Sequence, residues 1–199
     1  MTPAILRRLT PALSATLAVC AMVVVERTAA QTPQAKPIAS PLAFSLPGRR
    51  WALELKAEGF IMQLDQPRDQ GRYFLARNDK AQINLSVYLG KMPSSASSTQ
   101  CRDSFWGRLR EREVKMENVK LSERGDTAIL EYSTTPFGQA LPKAKGPELF
   151  GFTQRHVHAY LAREGVCIDV HASKVRAKAE DEPLLDAIIA SARIVESSR

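Results

Sequence analysis

Strict apolar–polar alternation in short runs, joined by very short links, constrains this chain more than any other feature. Ile83, Leu85, Val87 and Leu89 alternate with Asn84, Ser86 and Tyr88, the period-two pattern of a strand with one buried face. Trp51, Leu53 and Leu55 alternate in the same way with Ala52, Glu54 and Lys56. Glu58-Gly59 turns the chain into a run over Phe60–Asp65, and a further run covers Arg72–Arg77. Arg124-Gly125 separates Val119–Leu121 from Thr127–Tyr132, and Arg163-Glu164-Gly165 separates the last two runs. Links this short join antiparallel neighbours, because a parallel crossover takes about a dozen residues or more. The expected scaffold is an antiparallel meander.

Two segments switch to helical spacing. Ser97 and Gln100 have the spacing of a capping box, and Phe105, Trp106 and Leu109 then share one face of a helix reaching about Glu113. Near the C-terminus Leu184, Leu185, Ile188, Ile189 and Ala192 form an apolar stripe. Asp181 and Glu182 suit the positive end of that helix, and Pro183 suits its first turn. The fold class is therefore α+β: an antiparallel sheet flanked by two main helices. With 199 residues, 44% of them hydrophobic, the chain can bury a core without a scaffold of disulfides or metals.

The N-terminus reads as a targeting segment. Arg7 and Arg8 precede an apolar stretch from Leu9 to Val25, too short for a stable spanning helix of ~20 residues. Thr28-Ala29-Ala30 offers a small-residue cleavage site. The expected organisation is a signal peptide over 1–30, a proline-punctuated linker over 31–41 and one α+β domain over 42–199. This points to a periplasmic or secreted protein that has no membrane attachment after cleavage. Cleavage would lower Lys plus Arg from 28 to 25 and Asp plus Glu from 21 to 20, leaving a net charge of +5. That excess is spread out, and Glu111 and Glu113 interrupt its densest cluster, Arg108, Arg110, Arg112 and Lys115. A solvated helix face is the expected reading, and nucleic acid is not an expected partner.

Cleavage also removes Cys20, leaving Cys101 and Cys167. Two cysteines in an exported chain are expected to pair. The link from Ser133 to Gly151 is long and rich in Pro and Gly, yet carries Phe137, Leu141, Leu149 and Phe150. Such loops tend to be functional or to pack over a sheet edge.

Several of these features occur in one order: the Ile83–Leu89 strand, the helix entering at Cys101-Arg102, the strand Thr127–Tyr132, the hairpin through His156 and Cys167, and the Leu184–Ile194 end. In this order the chain resembles the PsbP family of extrinsic photosystem II proteins and its relatives, over about residues 42–195. The resemblance implies an α/β/α sandwich and a non-enzymatic accessory or binding role in an exported compartment. It carries no site residue across.

The last hairpin holds the concentrated chemistry. Alternation places Val157, Ala159 and Leu161 on one face with Val166, Ile168 and Val170. The opposite face gathers His156, His158, Tyr160, Cys167, Asp169, His171 and Ser173, including every histidine of the chain. A two-residue Glu164-Gly165 turn sets His158 opposite His171 and Tyr160 opposite Asp169. His156, His158, Tyr160, Asp169 and His171 are the candidate binding residues. Three imidazoles and a carboxylate could in principle hold zinc, with His156, His158, His171 and Asp169 as ligands. The plainer reading is a hydrogen-bonded polar face, with Asp169 held by a histidine, Tyr160 or Arg102. No serine-hydrolase elbow, phosphate loop or metalloprotease helix is present in the sequence. The expectation is an exported, non-enzymatic binding or accessory protein with no cofactor and an unknown protein or small-molecule partner. A small metal-dependent hydrolase on the histidine face is the alternative.

Overall fold

A computed structural model describes residues 37–68, 71–93, 96–112, 115–135 and 152–196. The targeting segment and Phe137, Leu141, Leu149 and Phe150 of the long link lie outside the described residues. Ten strands and two α-helices follow in order: β1 Leu42–Ser45, β2 Trp51–Leu55, β3 Ile61–Arg68, β4 Gly71–Asn78, β5 Ile83–Lys91, α1 Ser98–Arg110, β6 Met116–Arg124, β7 Thr127–Thr134, β8 Gln154–Arg163, β9 Val166–Val175, α2 Glu182–Ala190 and β10 Arg193–Glu196. The fold is α+β and strand-dominated, and every strand pair is antiparallel.

The meander expectation holds only in two pieces. β3-β4-β5 and β6-β7-β8-β9 each run neighbour to neighbour, but the seven-stranded sheet has the order β3-β4-β5-β9-β8-β7-β6. The excursion through α1 frees the second meander to return with its last strand, β9, against β5. The apolar faces of those two strands then line up: Leu85 opposite Ala172, Val87 opposite Val170, Leu89 opposite Ile168. A second sheet, β1-β2-β10, is made of short strands. Two of them, β1 and β10, are four residues each, too short for periodicity to reveal.

The main core lies between the apolar face of the large sheet and the layer formed by the small sheet and α2. Leu85, Leu89, Ile168, Trp51, Leu53 and Leu185 are all buried there, and each such side chain stabilises by about 1.5–3 kcal/mol relative to exposure. Leu184, expected in the apolar stripe of α2, is instead exposed; Leu185, Ile188 and Ile189 carry the contact. The expected linker is tied down at its end, where Ile38 donates its N–H to the Phe60 carbonyl and packs on the core.

α1 covers the opposite face. Its capping box is formed as the spacing indicated: Gln100 N–H donates to Ser97 Oγ at 3.2 Å, and Ser97 N–H to Gln100 Oε1 at 2.8 Å. The helix ends at Arg110. Leu109, with the half-buried Phe105 and Trp106, closes a smaller core over Leu130, Tyr132 and Tyr160. The Cys101–Cys167 disulfide, with Cα atoms 5.9 Å apart, ties the first turn of α1 to β9.

Candidate functional site

The β8–β9 hairpin forms with the parity its alternation required. Glu164 and Gly165 both have positive φ, 49° and 73°, as a two-residue turn matched to strand twist demands. His158 therefore pairs with His171, Tyr160 with Asp169 and His156 with Ser173. β7 adds Tyr132 opposite His156, and β5 adds Ser86 opposite His171 and Tyr88 opposite Asp169. The five candidate binding residues do converge, on the face beneath α1. His158 and Tyr160 are almost fully buried.

Every ring nitrogen of the three histidines has a partner. Thr134 Oγ1 lies 3.0 Å from His156 Nε2, His156 Nδ1 lies 3.0 Å from His171 Nε2, and His171 Nδ1 lies 3.2 Å from Ser86 Oγ. His158 Nδ1 lies 2.9 Å from Asp169 Oδ1 and 3.2 Å from the Tyr160 hydroxyl, and its Nε2 lies 3.3 Å from the Tyr132 hydroxyl. A neutral imidazole carries one N–H, so the Thr134–His156–His171–Ser86 chain has one proton between its two rings. Both directions satisfy every member, because a hydroxyl that can donate or accept stands at each end. The Tyr132–His158–Asp169 branch is ambivalent in the same way. It works with an ionised Asp169 accepting from His158, or with a protonated Asp169 donating to it.

Burial sets the charge state. Desolvation lowers His156 to about 4 and His158 to about 3, and His171 falls well below its ordinary range for the same reason, helped by His158. Desolvation raises Asp169 to about 7 and also raises both Tyr132 and Tyr160. The face at neutral pH is thus a set of uncharged rings around one carboxyl that exchanges a proton near pH 7.

Asp169 is held by a histidine, as the plainer reading expected, and that histidine is His158. Arg102 does not reach it; that guanidinium bonds to Asp103 and to the Ser122 carbonyl.

Ligand atoms of His156, His158 and His171 lie within 4.8 Å of one another. Zinc takes imidazole nitrogens at about 2.0–2.1 Å, in the plane of each ring. The His158 and His171 rings are stacked, 9° from parallel with centroids 4.0 Å apart. No point at bonding distance lies in both planes, so the rings as arranged do not converge on an ion. His171 and His156 lie edge to edge and nearly coplanar, 12° apart with centroids 5.2 Å apart, and Tyr132 stacks on His156 at 4.7 Å. Packing of flat rings organises this face.

Ser86, His171 and His156 have the connectivity of a nucleophile, a base and an orienting group. Ser86, however, sits in mid-strand with β4 on one side and β9 on the other. Main-chain N–H groups there serve the two ladders, which leaves no pair free to receive a developing oxyanion.

α1 does not cover the whole face. Beside it an open cleft of about 570 Å³ is floored by His156, His171 and Ser86, with Tyr73 and Tyr88 on one side and Arg108 and Arg112 of the α1 segment on the other. Phe105 closes the inner end, 5.1 Å ring to ring from His158. Sequence reading missed Ser86, Tyr88, Tyr132 and Thr134 as members, and took Arg108 and Arg112 for a solvated face. Both arginines are exposed, but they also border the cleft. Their i, i+4 spacing next to Phe105 and Leu109 was the available signal.

No family model matches the chain, and no curated protein matches it in sequence.

Proposed function

We propose that the chain is an exported, non-enzymatic binding or accessory module, built as a PsbP-like α/β/α sandwich, whose ligand seats in the cleft beside α1. The observation that carries this reading is the floor itself: buried polar rings, fully hydrogen-bonded and locked by stacking, yet opening into a cleft of small-molecule size. Pockets of ~300–1,000 Å³ with a few fixed polar groups suit small ligands, and strongly perturbed titratable groups cluster at functional sites. The disulfide and the lack, among the described residues, of a helix long and apolar enough to cross a membrane are compatible with export.

The alternative, a small metal-dependent hydrolase using His156, His158, His171 and Asp169, requires rings to leave the stack and surrender partnered nitrogens. Elemental analysis after equilibration with one equivalent of zinc separates the two. The binding reading expects sub-stoichiometric zinc that a weak chelator removes, with no hydrolysis of ester or phosphoester probes. One tightly held zinc per chain, lost in His156→Ala and His171→Ala, would replace it with the hydrolase.

A further inference from the structure

Arg108 and Arg112 both line the cleft, and neither has an ion-pair partner among the described residues. Arg108 sits in the last turn of α1 and Arg112 just beyond its end, and that place at the carbonyl end of the helix favours positive charge. Both fields reach the site: the Arg112 charge acts on the Tyr132 hydroxyl and the Arg108 charge on that of Tyr160. Among the described residues Asp169 is the one carboxyl lining the cleft, and it is turned into the hydrogen bond with His158. The neutral histidines add no counter-charge. The cleft therefore presents two cations, and nothing among its described lining residues neutralises them at its mouth.

The opposite side is flat and aromatic. Tyr88 is 45% exposed, unusually open for so large a ring on a central strand. Tyr73 faces it across the β4–β5 pair. Gly90 lies two residues along the same strand, and a Cβ built there would stand 2.5 Å from Tyr88 Cε1. The missing side chain at Gly90 is what lets the Tyr88 ring lie down along the strand beside the cleft.

Resting on the reading of this cleft as a ligand site, we propose that its ligand is a planar aromatic carboxylate, with the carboxylate held by Arg108 and Arg112 and the ring against Tyr88 and Tyr73. Guanidinium forks suit carboxylates in two-pronged geometry, and offset stacking on tyrosine rewards a flat ligand. The Ser86 hydroxyl, which accepts from His171 in one direction of the chain and donates to it in the other, keeps an O–H or a lone pair for a ring substituent.

The test titrates the disulfide-intact protein with four probes, read by calorimetry and by tyrosine and histidine resonances: 2-naphthoate, cyclohexanecarboxylate, inorganic phosphate and the cationic aromatic benzamidine. The proposal expects 1:1 binding of 2-naphthoate, with cyclohexanecarboxylate and phosphate at least tenfold weaker and benzamidine silent. Arg108→Gln with Arg112→Gln should weaken 2-naphthoate at least tenfold. Both side chains are exposed, so folding is not at risk. Gly90→Ala, which displaces Tyr88 without touching the arginines, should weaken 2-naphthoate several-fold and leave phosphate unchanged. Cleft binding of benzamidine, or of any probe with no sensitivity to the arginines, overturns the ligand class and leaves the binding reading standing. If all four probes leave the cleft resonances unmoved at millimolar concentration, the binding reading falls as well.

Discussion

Acidification from pH 7 to pH 5 should destabilise this fold through its own core histidines. His156 and His158 have folded pKa values of about 4 and about 3 against an ordinary 6.5. A group held below its unfolded value contributes fully above pH 6.5 and loses that contribution as pH falls toward the folded value. By pH 5 the unfolded chain has bound these protons and the folded one has not, which costs about 2 kcal/mol per histidine. His171 acts in the same direction. Asp169 opposes them: its folded value of about 7 lies above the ordinary 3.8, so the folded state gains about 2 kcal/mol over the same interval. The net loss is at least about 2 kcal/mol, or a fall in Tm of roughly 4–8 °C for a domain of this size. The Asp65 carboxyl, held low by Arg72, titrates below this window. Urea unfolding at pH 7, 6 and 5 measures the loss directly. His156→Gln, which keeps a hydrogen-bonding amide but cannot titrate here, should shrink the loss by about 2 kcal/mol, and Asp169→Asn should enlarge it. Stability equal at pH 5 and pH 7 in the wild type, with the variants parallel to it, would refute the neutral buried network.

Three further outcomes follow from particular contacts. Reducing the Cys101–Cys167 bond, which closes 66 residues of sequence separation, should cost about 4 kcal/mol in the chain-entropy account, seen as a lower urea midpoint with and without reductant. Tyr132→Phe leaves His158 Nε2 without its partner and should destabilise by about 1–3 kcal/mol, measured by the same unfolding curves. Gly71→Ala places a Cβ 2.1 Å from the Leu89 carbonyl oxygen, so β4 and β5 must separate; amide exchange along β5 should accelerate there while α2 stays protected.

Much of the site was legible because a hairpin is a local object. The Glu164-Gly165 turn and the alternation of Val157, Ala159 and Leu161 define the register without reference to the rest of the chain, and the His158–His171 opposition followed. The partners from other strands were not legible. Ser86 meets His171 because β9 returns to β5, a pairing across 85 residues that no short-range pattern encodes. The same non-local step broke the simple meander. α1 declared itself through its capping box, but where Arg108 in its last turn and Arg112 just beyond it fall depends on how far the helix covers the sheet. The four-residue strands β1 and β10 carry too few positions to show a period, so the pairing of Ile194 with Leu53 of β2 was not legible.

The central claim is that the three histidines form a neutral, partner-saturated floor and not a metal or charge site. Long-range ¹H–¹⁵N correlation of the imidazole rings across pH 8 to 5, with and without one equivalent of zinc, tests it most directly. Three neutral rings whose nitrogen shifts hold down to about pH 5 and ignore zinc are the predicted result. Rings that titrate near 6.5, or that move together on adding zinc, would contradict it.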